Sequence, residues 1–386
     1  MLHRFRRLVR ALRPARAGFT LAVGLLVAVA CRPDADLTTD SGTPLVPAPT
    51  PYNLVIPASL YAQARVPADN PLTNEGVELG RFLFYEKILS VDNSVSCGTC
   101  HEQDKAFTDG RRFSQGAFGK IGTRSAMSLA NVMWADSLNW DFRFSRIEDQ
   151  NRRPLTHSDE MSQPLAVSVS KLQNTPDYPA RFERAFGTRT ISENLLIKAL
   201  GQFQRTLISG RSKFDLSRTL GSGVQLTTDE AAGFLLFSTH PVPSLSLRGG
   251  NCGDCHGAGG LFKNSIVTSA NNGLDDFPAD SGIASVTRRA HDLGKFGVPS
   301  LRNIALTAPY MHDGRFATLE DVLDQYNEHV KLNSPNLARD MRSTNLDGAS
   351  SLMLTPTEKR QIVAFLHTLT DTAFVRNPRF SDPFIP

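Results

Sequence analysis

The motif Cys-x-x-Cys-His occurs twice in this chain of 386 residues, at 97–101 and at 252–256. This spacing is typical of c-type haem attachment, in which two thiols bond to the porphyrin and the adjacent histidine ligates the iron. A divided zinc site and a thioredoxin-like redox pair are the alternatives for such cysteines. Two complete copies favour two covalently bound haem c groups. The residues predicted to bind them are Cys97, Cys100, His101, Cys252, Cys255 and His256.

The N-terminus has the pattern of an export signal. Several arginines precede an apolar run of 14 residues, 17–30, which is followed by Cys31. This run is too short to span a bilayer comfortably and fits the core of a signal peptide. We therefore predict a signal peptide over 1–31 and a periplasmic protein, which agrees with haem attachment outside the cytoplasm. Simple cleavage and lipidation of Cys31 both stay open, and membrane contact is expected only with lipidation.

The remaining chain is long enough for two domains, since 40% of the residues are hydrophobic. The net charge of +4 includes the arginines of the predicted signal, so the rest is slightly acidic. No basic stripe indicates nucleic-acid binding. Residues 32–70 are rich in proline and are predicted to form a linker.

Short repeats around the two motifs predict that the two halves are related. Residues 80–84 precede the first motif as 233–237 precede the second. Phe107 and Phe262 each follow the motif histidine by six residues. Such recurrence is typical of an internal structural repeat.

Helical patterns close both halves. Apolar residues recur at helical spacing over 191–208, and a capping-box pattern at 355–358 begins another helix near the C-terminus. Strand signals are few. We therefore predict an all-α fold with two cytochrome c-like haem domains, residues 71–215 and 216–386.

Four segments of the chain, 77–84, 96–101, 298–304 and 306–314, carry a resemblance to a known family. From about residue 71 to 370 the chain resembles the bacterial diheme cytochrome c peroxidase/MauG family. The resemblance implies reduction of hydrogen peroxide to water, with electrons from a small periplasmic cytochrome c or cupredoxin. The N-terminal haem would react with peroxide and the C-terminal haem would transfer electrons.

The resemblance assigns three residues to the peroxide site by their positions. Trp140 follows His101 by 39 residues, where the family has a tryptophan between its haems. Gln150 and Glu160 match a glutamine and a glutamate ten residues apart over the N-terminal haem. Glu160 is the implied acid/base catalyst, because a carboxylate there can move a proton between the peroxide oxygens. Without the family position, Glu160 would be predicted at the solvated surface and Trp140 in the core.

The sequence departs from the family pattern at three positions. Ala117 stands where other peroxidases carry a histidine that blocks the N-terminal haem, so an open, five-coordinate iron is implied. Tyr326 replaces a methionine ligand of the second haem, and a phenolate ligand would lower its potential. The family also binds calcium, which the carbonyl groups of Thr307 and Pro309 would hold here, although Ser125 replaces the family's asparagine.

Two further functions stay open. A MauG-like diheme oxidase would act on a protein substrate through high-valent iron, but the surface tryptophan used for this in MauG is replaced by Gly249 and Gly250. A pure electron-transfer diheme cytochrome would need two six-coordinate irons, which Ala117 disfavours.

Overall fold

The structure, a computed structural model, describes residues 47–385. The predicted signal peptide 1–31, with Cys31, and the first part of the predicted linker lie outside the described residues. Within the described range, no helix is long and apolar enough to cross a membrane.

The described chain is rich in helix, as predicted, and its only paired strands are β1 and β2, which run antiparallel. Each of these two strands is two residues long. A π-helix at Gln325–His329 directly continues α11. The α-helices and strands in chain order are α1 Asn74–Tyr85, α2 Cys97–Cys100, α3 Ile147–Thr156, α4 Leu165–Gln173, α5 Asp177–Phe186, α6 Glu193–Arg205, α7 Lys213–Ser217, α8 Thr228–Ser238, α9 Cys252–His256, β1 Ser269–Ala270, α10 Ala284–Thr287, β2 Phe296–Gly297, α11 Leu319–Asp324, α12 Pro356–His367 and α13 Thr372–Val375. The short 3₁₀ helices are Ala58–Leu60, Lys87–Leu89, Gln103–Lys105, Ala117–Gly119, Val132–Trp134, Pro243–Leu245, Ala290–Asp292, Ile304–Leu306 and Arg339–Arg342.

Side-chain caps fix the starts of the helices that build the cores. The Thr73 hydroxyl accepts a hydrogen bond from the backbone of α1, and Ser192 does the same for α6. Thr355 and Glu358 form the predicted capping box of α12, with Pro356 in its first turn. These caps satisfy backbone N–H groups that have no partner inside the helix.

Two hydrophobic cores are built in the same way. In the first, α1 packs on α6, and Gly80 allows the close approach, since a Cβ there would lie 2.0 Å from the carbonyl oxygen of Ala199. In the second, α8 packs on α12, and a Cβ on Gly233 would lie 1.9 Å from that of Gln361. Gly80 and Gly233 are matching positions of the sequence repeat, so the repeat has a packing cause.

The aromatic side chains of the repeat also correspond. Phe84 and Phe107 have ring centroids 6.1 Å apart in the first core, and Phe237 and Phe262 are 6.1 Å apart in the second. All four rings are fully buried. The phenylalanine that follows each motif by six residues therefore packs on the helix that precedes the motif.

The C-terminal segment departs from the predicted division into 71–215 and 216–386. Phe374 and Phe380 are buried in the first core, and the Tyr85 hydroxyl donates a hydrogen bond of 2.6 Å to the carbonyl oxygen of Phe380. Phe214, on the other side of the predicted boundary, belongs to the second core. The chain thus returns to the first half before it ends, and two separate haem domains stay a prediction.

The described part of the predicted linker, residues 47–70, packs against the fold. Leu60 is 2% exposed and packs with Trp134 in a third, small core. The indole N–H of Trp134 donates a hydrogen bond of 2.7 Å to the carbonyl oxygen of Gln63. Apolar side chains between the prolines thus find buried positions in the described part of this segment, and the linker over 32–70 stays a prediction.

Candidate haem-binding active site

A single cavity of about 1070 Å³ carries the residues of both motifs in its wall. More of its surface is apolar than polar, as expected for a site that holds a large flat cofactor. The motif residues that line it are Cys97, Cys100, His101, Cys252, Cys255 and His256.

The first motif is organised by the short helix α2. Ser96 and Thr99 form a capping box at its start, and Cys97 and Cys100 lie three residues apart on one side. His101 ends the helix, and its Nδ1 donates a hydrogen bond of 2.7 Å to the carbonyl oxygen of Phe107. Because a carbonyl only accepts, this bond fixes the tautomer and leaves Nε2 with a free lone pair. Burial lowers the pKa of His101, which favours the neutral ring.

The second motif has the same chemistry on α9. Nδ1 of His256 donates a hydrogen bond of 3.0 Å to the carbonyl oxygen of Pro299, so Nε2 is again free. Burial lowers the pKa of His256 to about 4. None of the four motif cysteines is in a disulfide bond, and burial raises the pKa of the Cys97 thiol and that of the Cys252 thiol to about 12.

These donor sets fit two c-type haems. Each set offers two unpaired thiols and one neutral imidazole whose second nitrogen is already held by a backbone carbonyl. A histidine that ligates iron usually donates a hydrogen bond from its other ring nitrogen in this way, which fixes the orientation of the ring. A zinc site divided between the two motifs would not need the large, mainly apolar cavity that surrounds them.

Trp140, Gln150 and Glu160 line the same cavity as His101, so the structure brings the three predicted peroxide-site residues together. Gln150 lies on α3, and Glu160 lies in the turn after it. Trp140 is held by a hydrogen bond of 3.0 Å from its indole N–H to the carbonyl oxygen of Ser125.

The Glu160 carboxyl is half-buried in a mixed electrostatic environment. Burial raises its pKa, the nearby Asp159 adds to this effect, and the charges of His157 and Arg153 oppose it. His157 Nδ1 lies 3.6 Å from Oε1 of Glu160. A carboxyl with a raised pKa, on a cavity wall, is suited to exchange protons at moderate pH.

Ala117 packs directly on the Glu160 turn. Its backbone N–H donates a hydrogen bond of 2.7 Å to the Glu160 carbonyl oxygen, and its side chain is fully buried. A Cβ on Gly116 would lie 2.2 Å from the carbonyl oxygen of Asp159, so the backbone at 116–117 packs closely against the backbone at 159–160. An alanine here supplies no iron ligand and instead helps to fix the turn that carries the glutamate.

Tyr326 lines the cavity beside the second motif, at the π-helix that follows α11. The sequence pattern predicts one continuous α-helical face from Leu319 to Tyr326, but the α-helix ends at Asp324. The phenolic oxygen accepts a hydrogen bond of 3.2 Å from Nδ2 of Asn272. Burial raises the pKa of Tyr326 to about 12, and the hydrogen bond from Asn272 acts in the opposite direction.

The region predicted to bind calcium is tied together by protein hydrogen bonds. The Ser125 hydroxyl donates to the carbonyl oxygen of Met311 at 2.8 Å, and its backbone N–H donates to that of His312 at 2.8 Å. Thr307 and Pro309 both lie in the cavity wall. Ser125 therefore connects Trp140 to the 311–312 segment, and the calcium site stays a prediction.

Sequence reasoning missed Asn272, His312 and Phe296, which also line the cavity. The Phe296 ring stacks on the His312 ring with centroids 3.8 Å apart. The centroids of the His312 and Trp140 rings are 6.5 Å apart. His312 could have been noticed as a buried histidine of the family motif. Asn272 had no signal, because only the fold brings it to Tyr326.

Comparisons with known proteins show the family of this chain. A family model for di-haem cytochrome c peroxidase matches residues 74–220. The methylamine utilization protein MauG of Methylorubrum extorquens is 34% identical over 308 residues, which are 78% of this chain and 80% of that protein. The cytochrome c551 peroxidase of Nitrosomonas europaea is 30% identical over 325 residues, 83% of this chain and 86% of the relative.

Solved structures add agreement in the fold. A MauG-like protein associated with microbial copper homeostasis is 36% identical, with a TM-score of 0.75, and the match covers 86% of this chain and 99% of that one. The diheme peroxidase BthA of Burkholderia thailandensis is 23% identical, has a TM-score of 0.66 over 87% of this chain and 94% of its own, and supports the fold alone. The chain belongs to the diheme cytochrome c peroxidase/MauG family, and membership of this family implies two c-type haems.

Proposed function

We propose that this chain is a periplasmic diheme c-type peroxidase that reduces hydrogen peroxide to water. Its electrons would come from a small redox protein, a cytochrome c or a cupredoxin. The observation that supports this most is the shared cavity, whose wall carries both haem motifs together with Glu160, Gln150, Trp140 and Tyr326. The periplasmic location rests on the export pattern and on c-type attachment, and relatives named cytochrome c peroxidase support the reaction class.

The residues that would hold the haems are those of the two motifs. Cys97 and Cys100 would bond to the first haem and His101 would ligate its iron. The corresponding residues of 252–256 would hold the second haem, and Tyr326 would be a further ligand of its iron. When bound, the haems supply the iron that binds peroxide and the electrons that reduce it.

The side chains of the first site would guide protons and orient peroxide. The Glu160 carboxylate would take a proton from one oxygen of hydrogen peroxide and return it to the other oxygen, which leaves as water. The Gln150 amide would orient peroxide by hydrogen bonding. Two electrons and two further protons complete the balance, so that one hydrogen peroxide gives two water molecules.

The first prediction concerns haem attachment. We expect two haems per chain that both survive acid-acetone extraction, because thioether bonds resist it. Replacing Cys252 and Cys255 together by alanine should leave one such haem, and the matched pair Cys97→Ala and Cys100→Ala should also leave one. Pyridine haemochrome absorbance per chain measures this. Haem that extracts from the parent protein would contradict covalent attachment.

The second prediction tests the function. Since Ala117 supplies no blocking ligand, the fully oxidised protein should show a high-spin ferric signal by electron paramagnetic resonance. It should consume peroxide at once when a reduced small cytochrome is added, with two cytochromes oxidised per peroxide. Two low-spin signals and no peroxide reaction would instead indicate a pure electron-transfer cytochrome. A lag that only pre-reduction abolishes would contradict the open first haem.

A MauG-like diheme oxidase is the second candidate. The positions of Ala117 and Tyr326 and the relatives named MauG favour it. The product separates the two functions. Oxidation of two small donors per peroxide supports the peroxidase, whereas peroxide consumed with a covalent mass change in a partner protein supports the oxidase.

A further inference from the structure

The loop that carries Asn272 is fixed against the π-helix that carries Tyr326. The carbonyl oxygen of Gly273 accepts hydrogen bonds from the Lys331 backbone at 2.8 Å and from the Gln325 side chain at 3.1 Å. On the other side, Nδ2 of Asn271 donates to the Ser334 hydroxyl at 3.0 Å. The neighbours of Asn272 thus determine where its own side chain lies.

Gly273 makes this approach possible. Its φ is +71°, a left-handed conformation that favours glycine, and a Cβ there would lie 2.7 Å from Cγ1 of Val330. A larger residue would push the loop away from the segment that follows the π-helix. The short distance between Asn272 and Tyr326 is therefore built into the backbone.

The Asn272 amide contacts two side chains that are chemically able to ligate iron. Its Nδ2 lies 3.2 Å from the Tyr326 phenolic oxygen and 3.5 Å from Sδ of Met311. All three side chains line the cavity with His256. The amide has two N–H groups, one for each neighbour, and a thioether or a phenolate oxygen can only accept. The nitrogen, and not the amide oxygen, must therefore face them.

We propose that Asn272 is the positioning residue for Tyr326: its side-chain amide donates a hydrogen bond to the phenolic oxygen and so fixes where that oxygen lies. This inference rests on the proposed ligation by Tyr326. A hydrogen bond to the phenolate oxygen would reduce the electron density that this oxygen gives to the iron. The phenolate would then stabilise ferric iron less than a phenolate without a hydrogen bond. Asn272 would thereby raise the potential of the second haem relative to an unassisted phenolate.

The third prediction tests Asn272 in the holoprotein. Asn272→Leu and Asn272→Asp both remove the N–H donors, and aspartate keeps the shape of the side chain. Both variants should lower the midpoint potential of the second haem and alter its low-spin spectrum. A merely structural role would be preserved by aspartate. Asn333→Asp, which changes an exposed amide away from the cavity wall, is the matched control and should leave both unchanged.

A double-mutant cycle separates the inference from the ligand assignment. In a Tyr326→Met background, Asn272→Leu should lose most of its effect, because its partner is gone. Unchanged potential and spectrum in both Asn272 variants, or an equal shift in the Tyr326→Met background, would overturn the role of Asn272. If Tyr326→Met alone leaves the spectrum and potential unchanged, the ligand assignment fails, and the role of Asn272 fails with it.

Discussion

Replacing Glu160 with glutamine should slow the reaction with hydrogen peroxide by about a hundredfold or more. Glutamine keeps the size of the side chain but cannot accept and return a proton. Both haems should remain bound and the high-spin signal should persist, because Glu160 contacts neither motif by hydrogen bonding in the structure. Stopped-flow absorbance after mixing the oxidised protein with peroxide measures the rate.

The pH dependence of this rate provides a second measurement. The base form of Glu160 is needed to take the first proton, so the rate should rise with pH through the pKa of this carboxyl. Burial raises that pKa above the ordinary glutamate value of 4.5, so the rise in rate should occur at a correspondingly higher pH. This rise should be absent in Glu160→Gln.

The control for Glu160 lies on the neighbouring helix. Asp149 is exposed on α3, next to Gln150 but outside the cavity wall. Asp149→Asn removes one carboxylate close in sequence and should keep the parent rate. If Glu160→Gln reacts with peroxide at the parent rate, another group moves the proton and the assignment by position in the sequence is wrong.

The features that could be predicted from the sequence are those fixed by local chemistry. A thiol, a thiol and an imidazole within five residues leave few alternatives, and His101 and His256 are indeed both held by backbone carbonyls. The repeat could also be predicted, because Gly80 and Gly233 both allow two helices to pack closely. The capping box at Thr355 acts within one turn of its helix.

The features that could not be predicted depend on contacts distant in the sequence. Phe380 returns to the first core, and nothing in its neighbours indicates which core it would join. Leu60 is buried although its proline-rich surroundings indicate a linker. Tyr326 reaches the cavity by a π-helix, a form that no periodicity predicts, and Asn272 meets it across 54 residues of chain.

Replacing Arg302 with methionine should cost about 3–5 kcal/mol of the free energy of unfolding. The guanidinium is fully buried and binds both oxygens of Asp215, at 2.7 and 2.8 Å. Its Nε also donates to the carbonyl oxygen of Gly260, in the loop after the second motif. Methionine fills a similar volume but leaves the Asp215 carboxylate buried without its cation. This unpaired buried charge accounts for most of the expected loss of stability.

The matched control is an exposed ion pair. Arg189 and Glu183 lie 2.8 Å apart, but the arginine side chain is 58% exposed. Arg189→Met should therefore cost less than about 1 kcal/mol. Urea unfolding of the haem-loaded proteins, followed by circular dichroism, gives both values under the same conditions.

The sign of the pH dependence follows from Asp215. Burial acts to raise the pKa of this carboxyl, but the hydrogen bonds and charge of Arg302 outweigh burial and hold it below the ordinary value of 3.8. A group whose pKa is lowered by folding stabilises the fold above its unfolded pKa and loses that contribution as the pH falls through the folded pKa. In Arg302→Met burial acts without the opposing cation, so the pKa of Asp215 is higher there than in the parent. The difference in stability between the two proteins should therefore shrink as the pH falls through the raised pKa of the variant and then the lowered pKa of the parent. Equal losses for Arg302→Met and Arg189→Met at pH 7 would show that the buried ion pair contributes no more to the free energy of unfolding than the exposed one.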